Sequence, residues 1–126
     1  MIVGMGIDIV EVARVEALWR ENPEAFTRRA FTDIEITYCT GRERPAQHLA
    51  ARFAVKEAAL KALGTGWAQG LGLRDVEVLR DEAGKPSLRL LGAAKTRADA
   101  LGVTATHVSL SHTEHYACAT VILEVR

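Results

Sequence analysis

Hydrophobic positions recur along this chain with two different periods. Residues 1 to 10 alternate: Val3, Met5, Ile7 and Ile9 project to one side and Gly4, Gly6 and Asp8 to the other, as in a strand. From Glu11 to Arg20 the apolar residues Val12, Val15, Leu18 and Trp19 return at helical spacing, with Arg14 and Arg20 on the outer side. Asn22-Pro23 has the form of an N-cap followed by proline at the first helical position, and opens a second short helix through Arg28 and Arg29. Thr32-Asp-Ile-Glu35 reads as a capping box, starting a third helix that ends near Gly41. A basic connector with Arg42 and Arg44 leads to Pro45, which opens a long helix running to about Leu63 and closed by Gly64.

That long helix is the strongest signal in the chain. Ala and Leu dominate Arg52 to Gly64 with no β-branched run. At 100° per residue, Glu57 shares a stripe with Ala50, Phe53, Ala54 and Leu60, and Lys61 stands one turn on beside it. Val55, Ala58, Ala59 and Ala62 make most of the remaining surface apolar, and Arg52 and Lys56 break it on the far side. A helix apolar nearly all round is buried, so Glu57 and Lys61 need compensation: an i,i+4 ion pair at the helix edge, or ligands of opposite charge.

Beyond it, residues 64 to 72 carry four glycines in nine positions and read as a loop. Val76 and Val78 alternate with Asp75 and Glu77, Asp81 to Pro86 makes a turn, and Leu88 and Leu90 return, predicting a hairpin. Ala93 to Leu101 is helical by propensity and closed by Gly102. Ala105 to Thr113 and Tyr116 to Val125 form a second strand pair around the turn Thr113-Glu-His-Tyr116. The order predicts one α+β domain over residues 1–126, its long central helix packed on a largely antiparallel sheet.

Bulk properties narrow the function. Sixteen basic and sixteen acidic residues cancel, so no global field recruits nucleic acid or an anionic membrane, and any anion site is local. Cys39 and Cys118 are a lone, widely spaced pair, suited to reduced thiols in a cytoplasmic protein. No HExxH, CxxC or EF-hand pattern supports zinc or calcium, and Gly4-Met-Gly6 lacks the third glycine of a dinucleotide fingerprint, Ile9 standing there. Asp8 and Glu57, by contrast, lie on elements that the hydrophobic pattern presses together. A magnesium ion reconciles two such carboxylates, since it takes one or two of them and completes its shell with waters and phosphate oxygens; Lys61 would meet the same phosphates. Asp8 also reads as the cap of the helix that follows it, and His112 as a structural histidine at a strand end.

Four stretches together, Gly4-Met-Gly-Ile-Asp8-Ile-Val-Glu11, Arg52-Phe-Ala-Val-Lys56-Glu57-Ala-Ala-Leu-Lys61-Ala-Leu-Gly64-Thr-Gly66, Gly84-Lys85-Pro86 and Ser109-Leu-Ser-His112-Thr113, resemble the holo-acyl-carrier-protein synthases, the short class of 4'-phosphopantetheinyl transferases. The resemblance implies transfer of the phosphopantetheine arm of coenzyme A to a serine of apo acyl carrier protein, releasing adenosine 3',5'-bisphosphate. It implies Mg2+ at Asp8 and Glu57, Lys61 at the pyrophosphate, and Gly64, His112 and Thr113 among the coenzyme A contacts, with Arg44 and Arg52 as further cationic partners of its phosphates. It also implies a homotrimer with sites between protomers, and a first-helix surface for the carrier, here Arg14, Leu18, Phe26 and Arg29. Glu16, Glu21 and Glu24 make that surface less basic than an acidic partner favours. In the implied mechanism the carrier serine attacks the β-phosphate in line, and either Glu57 or a water on the metal accepts its proton. A different magnesium-dependent phosphoryl transferase or hydrolase, and a non-catalytic coenzyme A or carrier-binding module, are the competing readings.

Overall fold

A computed structural model of the chain describes residues 1–64 and 72–126. The elements follow one another as β1 (Ile2–Glu11), α1 (Val12–Glu21), α2 (Pro23–Ala30), α3 (Asp33–Thr40), α4 (Pro45–Leu63), a 3-10 turn (Leu73–Asp75), β2 (Val76–Arg80), β3 (Pro86–Leu90), α5 (Gly92–Ala100), β4 (Ala105–His112) and β5 (Tyr116–Glu124). The fold is α+β. One antiparallel sheet has the order β1-β5-β4, and β2 and β3 form a separate hairpin. The glycine-rich loop expected at 64 to 72 falls mostly on residues 65–71, outside the described residues.

The local punctuation behaves as its chemistry dictates. The Asn22 side chain accepts from the Ala25 amide at 3.2 Å with Pro23 behind it. Thr32 and Glu35 form a reciprocal capping box, the Glu35 carboxylate accepting from the Thr32 amide at 2.9 Å. Gly64, at φ 82°, ends α4 in the left-handed conformation, its amide bonded to the Leu60 and Lys61 carbonyls.

Thirteen of the nineteen residues of α4 are buried, so the helix is the axis of the core. One side of it lies on the inward face of the sheet, with Val10, Ala117, Ala119, Val121 and Leu123 in the core. β1 turns Gly4 and Gly6 toward the helix, and its alternate side chains Met5, Ile7 and Ile9 point away from it. Ile7 is 65 % exposed, and Met5, Ile9 and Tyr116 are similarly open. The more apolar face of β1 is thus the uncovered one, because only a face without side chains lets α4 come this close.

The two charges expected to break the far side of α4 prove to be its most deeply buried. Lys56 is wholly inaccessible: its Nζ donates to Glu35 Oε1 at 2.7 Å, to the Leu73 carbonyl at 3.0 Å and to the Val76 carbonyl. Glu35 Oε2 accepts from the Val78 amide at 2.8 Å. Burial pulls the Lys56 ammonium below the ordinary lysine range, and Glu35 opposes that pull. Arg52 is only 2 % exposed and lies over the Tyr38 ring. Their partners come from α3 and from the chain beyond α4, which cover a side that the helix pattern alone leaves unassigned.

Removing one member of a buried pair strands the other, at a cost of about 3–5 kcal/mol. Lys56→Met is therefore expected to lower stability by that order. The double variant Lys56→Met/Glu35→Met is expected to recover part of it, not all, because the Leu73 and Val76 carbonyls and the Thr32 and Val78 amides stay unpaired. Urea midpoints of the two variants and the parent check this. A second expectation concerns Cys39, whose thiol is pushed from 9.0 up to about 11 by burial, with Arg52 pulling the other way. The folded pKa is raised, so the stabilisation is full below pH 9 and is lost as pH rises through the folded value. Urea titrations between pH 8 and 11 should show a stability loss approaching about 1.4 kcal/mol per pH unit that is absent in Cys39→Ala.

Candidate active site

Asp8 stands two residues after Gly6 on the inward side of β1, and Glu57 and Lys61 stand one turn apart on α4. The close approach of strand and helix brings all three together. Lys61 Nζ donates to Asp8 Oδ1 at 2.9 Å and to the Ile7 carbonyl at 3.0 Å. The Asp8 side chain is 15 % exposed and that of Lys61 54 %, so the carboxylate is fixed and the ammonium has room to move. Lys61 thus pairs with the strand, and no Glu57–Lys61 ion pair is present among the described residues.

Glu57 is half-buried beside Asp8. Burial raises its pKa above the ordinary carboxylate value and the Asp8 charge raises it further, while Lys61 and Arg14 pull it down. The Asp8 carboxylate, close enough to disfavour the charge on Glu57, makes with it an oxygen-only donor set that suits a hard cation. No group of three or more His, Cys, Asp or Glu side chains suited to a metal occurs among the described residues. Two carboxylates still meet the requirement of magnesium, which keeps several waters.

The remaining sequence candidates separate into several regions. Near the N-terminal half of α4, Tyr38 is surrounded by guanidinium groups: Arg42 at 4.1 Å from its ring centroid, Arg52 at 4.2 Å and Arg80 at 5.7 Å. Arg52 also donates to the His48 carbonyl at 3.3 Å, and its Nε finds no partner among the described residues. Tyr38, Arg42, Arg52, Arg80 and Gly84 line a pocket of about 410 Å³. The ring of His48 packs edge-on to Tyr38 and to His112, at 5.9 and 5.7 Å. Burial, followed by the neighbouring Arg52 guanidinium, lowers the His48 pKa below the ordinary histidine value. Thr113 lies in the β4–β5 turn, where its Oγ1 accepts from the Tyr116 amide at 3.1 Å. Gly64 caps α4 next to the undescribed residues.

Arg44 does not join Arg52. It precedes α4 and lines a different groove of about 610 Å³ with Trp19, Arg20 and His115. Of the expected carrier surface, Leu18, Phe26 and Arg29 line one groove of about 340 Å³ between α1 and α2. Phe26 is half-buried there, stacked on Phe53 at 6.3 Å and packed edge-on to Phe31 at 5.6 Å. Arg14 sits apart, close enough to act on the Glu57 charge. Sequence reasoning missed Tyr38, Arg42, Arg80 and His48 as a cluster. The only early sign was the basic connector containing Arg42.

Comparison with known proteins bears on this arrangement. The chain is 51% identical over 123 residues to a holo-[acyl-carrier-protein] synthase of Klebsiella pneumoniae, covering 98% of both chains. The holo-[acyl-carrier-protein] synthase structure from Neisseria meningitidis superposes with a TM-score of 0.87 at 34% identity, over 98% of this chain and 99% of that one. The Helicobacter pylori enzyme, solved in complex with coenzyme A, gives 0.84 at 29% identity, over 95% of this chain and 99% of that one. The family model of the 4'-phosphopantetheinyl transferase superfamily matches residues 4–121, a span that runs from the glycine strip of β1 into β5. This chain, with Asp8, Glu57 and Lys61 gathered where β1 meets α4, belongs to the 4'-phosphopantetheinyl transferase superfamily.

Proposed function

We propose that this chain is a transferase that moves the 4'-phosphopantetheine arm of coenzyme A onto a serine of apo acyl carrier protein, giving holo carrier for fatty-acid synthesis and adenosine 3',5'-bisphosphate. The observation that carries this reading is the convergence of Asp8, Glu57 and Lys61 in a member of this superfamily. Relatives named for the same activity, and a related structure holding coenzyme A, support it. Residues 1–126 form one such domain, and the two cysteines, both free thiols, suit a cytoplasmic protein. No helix among the described residues is long and apolar enough to cross a membrane.

Asp8 and Glu57 would hold magnesium, which when bound neutralises charge on the pyrophosphate. Lys61, half exposed, turns from Asp8 to the phosphate oxygens and stabilises the leaving group. The serine oxygen forms a bond to the β-phosphorus while the bond from that phosphorus to the oxygen bridging the α-phosphate breaks. The electron pair departs on adenosine 3',5'-bisphosphate, and the serine proton passes to Glu57 or to a water beside it. Arg42, Arg52 and Arg80 around Tyr38, with His48 and His112, are the basic pocket for the nucleotide end, and Gly64, Thr113 and Arg44 add contacts along coenzyme A. Leu18, Phe26 and Arg29, with Arg14 nearer the metal pair, receive the carrier.

The functional unit is a homotrimer, with the acidic cluster of one protomer facing the basic pocket of the next. The uncovered face of Met5, Ile7, Ile9 and Tyr116 supports this, since apolar side chains in one continuous patch mark an association surface.

Incubation with coenzyme A, magnesium and an apo carrier should increase the carrier's mass by one phosphopantetheine group. Release of nucleotide without a modified carrier would instead identify a hydrolase, and no product a binding module. Asp8→Asn and Glu57→Gln should each reduce turnover at least about 100-fold while circular dichroism and oligomeric state stay as in the parent. Near-normal turnover in either removes the proposed roles. Ile7→Glu is expected to yield monomer by light scattering and to lose transfer activity; a fully active trimer would rule out this face as the interface.

A further inference from the structure

Two points join β1 to α4 with no side chain between them. A Cβ built on Gly6 would stand 1.9 Å from the Ala58 carbonyl oxygen and 2.9 Å from both Ala58 C and Ala62 N. One built on Gly4 would stand 2.2 Å from the Ala62 carbonyl oxygen. Carbon and carbonyl oxygen approach no closer than about 3.3 Å even in favourable C–H···O contacts. A methyl group at either position therefore requires strand and helix to part by about 1 Å. The obstructing atoms are backbone atoms of a hydrogen-bonded helix, so no rotamer change relieves the clash.

These contacts lie at the site itself. Ala58 follows Glu57, Ala62 follows Lys61, and Asp8 is the next inward residue after Gly6. The Gly6–Ala58 contact consequently fixes how far the Asp8 carboxylate stands from that of Glu57. Magnesium demands near-octahedral geometry with ligands at about 2.0–2.1 Å, so a parting of about 1 Å exceeds what it tolerates. We propose that Gly6 is a positioning residue, whose missing side chain sets the Asp8–Glu57 separation that admits a divalent cation. This rests on the reading of Asp8 and Glu57 as the metal-holding pair.

Gly4 supplies the control, meeting the same helix with a similar clash one turn farther from Glu57. Full-length Gly6→Ala and Gly4→Ala are compared for thermal stability, for the magnesium concentration that half-saturates transfer, and for Mn2+ binding followed by loss of the free-ion electron paramagnetic resonance signal. Both should lose stability to a similar extent. Gly6→Ala should weaken Mn2+ binding and raise the magnesium requirement about 10-fold or more, and Gly4→Ala should leave both within about twofold. Adding Asp8→Glu to Gly6→Ala, one methylene of extra reach, should restore much of the Mn2+ binding. A folded Gly6→Ala with parental Mn2+ binding overturns the proposal, and so does an equal loss in Gly4→Ala. If Gly6→Ala does not fold, Asp8→Glu/Glu57→Asp, which conserves total reach, must bind Mn2+ better than either single variant; a double no better than the tighter-binding single overturns the fixed separation. Absence of saturable Mn2+ binding by the parent protein overturns the metal reading itself, and the positioning role with it.

Discussion

The Lys56 ammonium, buried and bound to Glu35 and to two carbonyls of the returning chain, is the constraint on which the arrangement of α4 depends. A nearly all-apolar helix has little to choose its rotation about its own axis, because almost any side satisfies a hydrophobic neighbour. A single buried charge removes that freedom, since every other rotation leaves an ammonium and a carboxylate unpaired in the core. Glu57 follows Lys56 directly and points about 100° around the helix from it. With Lys56 held toward α3 and β2, Glu57 is carried round to the edge where Asp8 stands. The ion pair's contribution is orientation more than net stability, in keeping with the cost of burying charge.

Glu35 serves two scales at once. It closes the capping box of α3 and anchors Lys56, so the start of a short helix and the rotation of the longest one are tied to a single carboxylate. The segment beyond α4 is drawn in by the same ammonium through Leu73 and Val76. Helix, hairpin and site geometry thereby share one polar node, whose members gain strength from the low dielectric around them.

Much of this was legible in the sequence, for identifiable reasons. The caps at Asn22, Thr32 and Gly64 act within a few residues, so local chemistry announces them, and the alternation in β1 separates its two faces. The trio Asp8, Glu57 and Lys61 was readable because each interrupts a pattern otherwise small or apolar. What the pattern withheld is which face each element covers. In β1 the alternation separated an isoleucine side from a glycine side, and it is the glycine side that meets the helix, backbone to backbone. In α4 the wheel gave Arg52 and Lys56 an angle but could not name α3, Tyr38 and β2 as what lies over them. The basic cluster around Tyr38 was hidden for a related reason: its members come from α3, the connector, α4 and the hairpin, with no common spacing.

The sheet order ties the site to distant parts of the chain. Among the described residues β1 pairs with β5 alone, and residues Ile2 to Glu11 lie opposite Glu124 to Tyr116, so the strand carrying Asp8 is held by a partner from the far end of the fold. Such contacts between distant parts of a chain form slowly, since a long loop must close before they form. The Asp8 carboxylate is thus carried on a strand held from two sides, by α4 through the glycine contacts and by a strand more than 100 residues away through the sheet ladder, and loosening β5 would free the edge on which Asp8 stands.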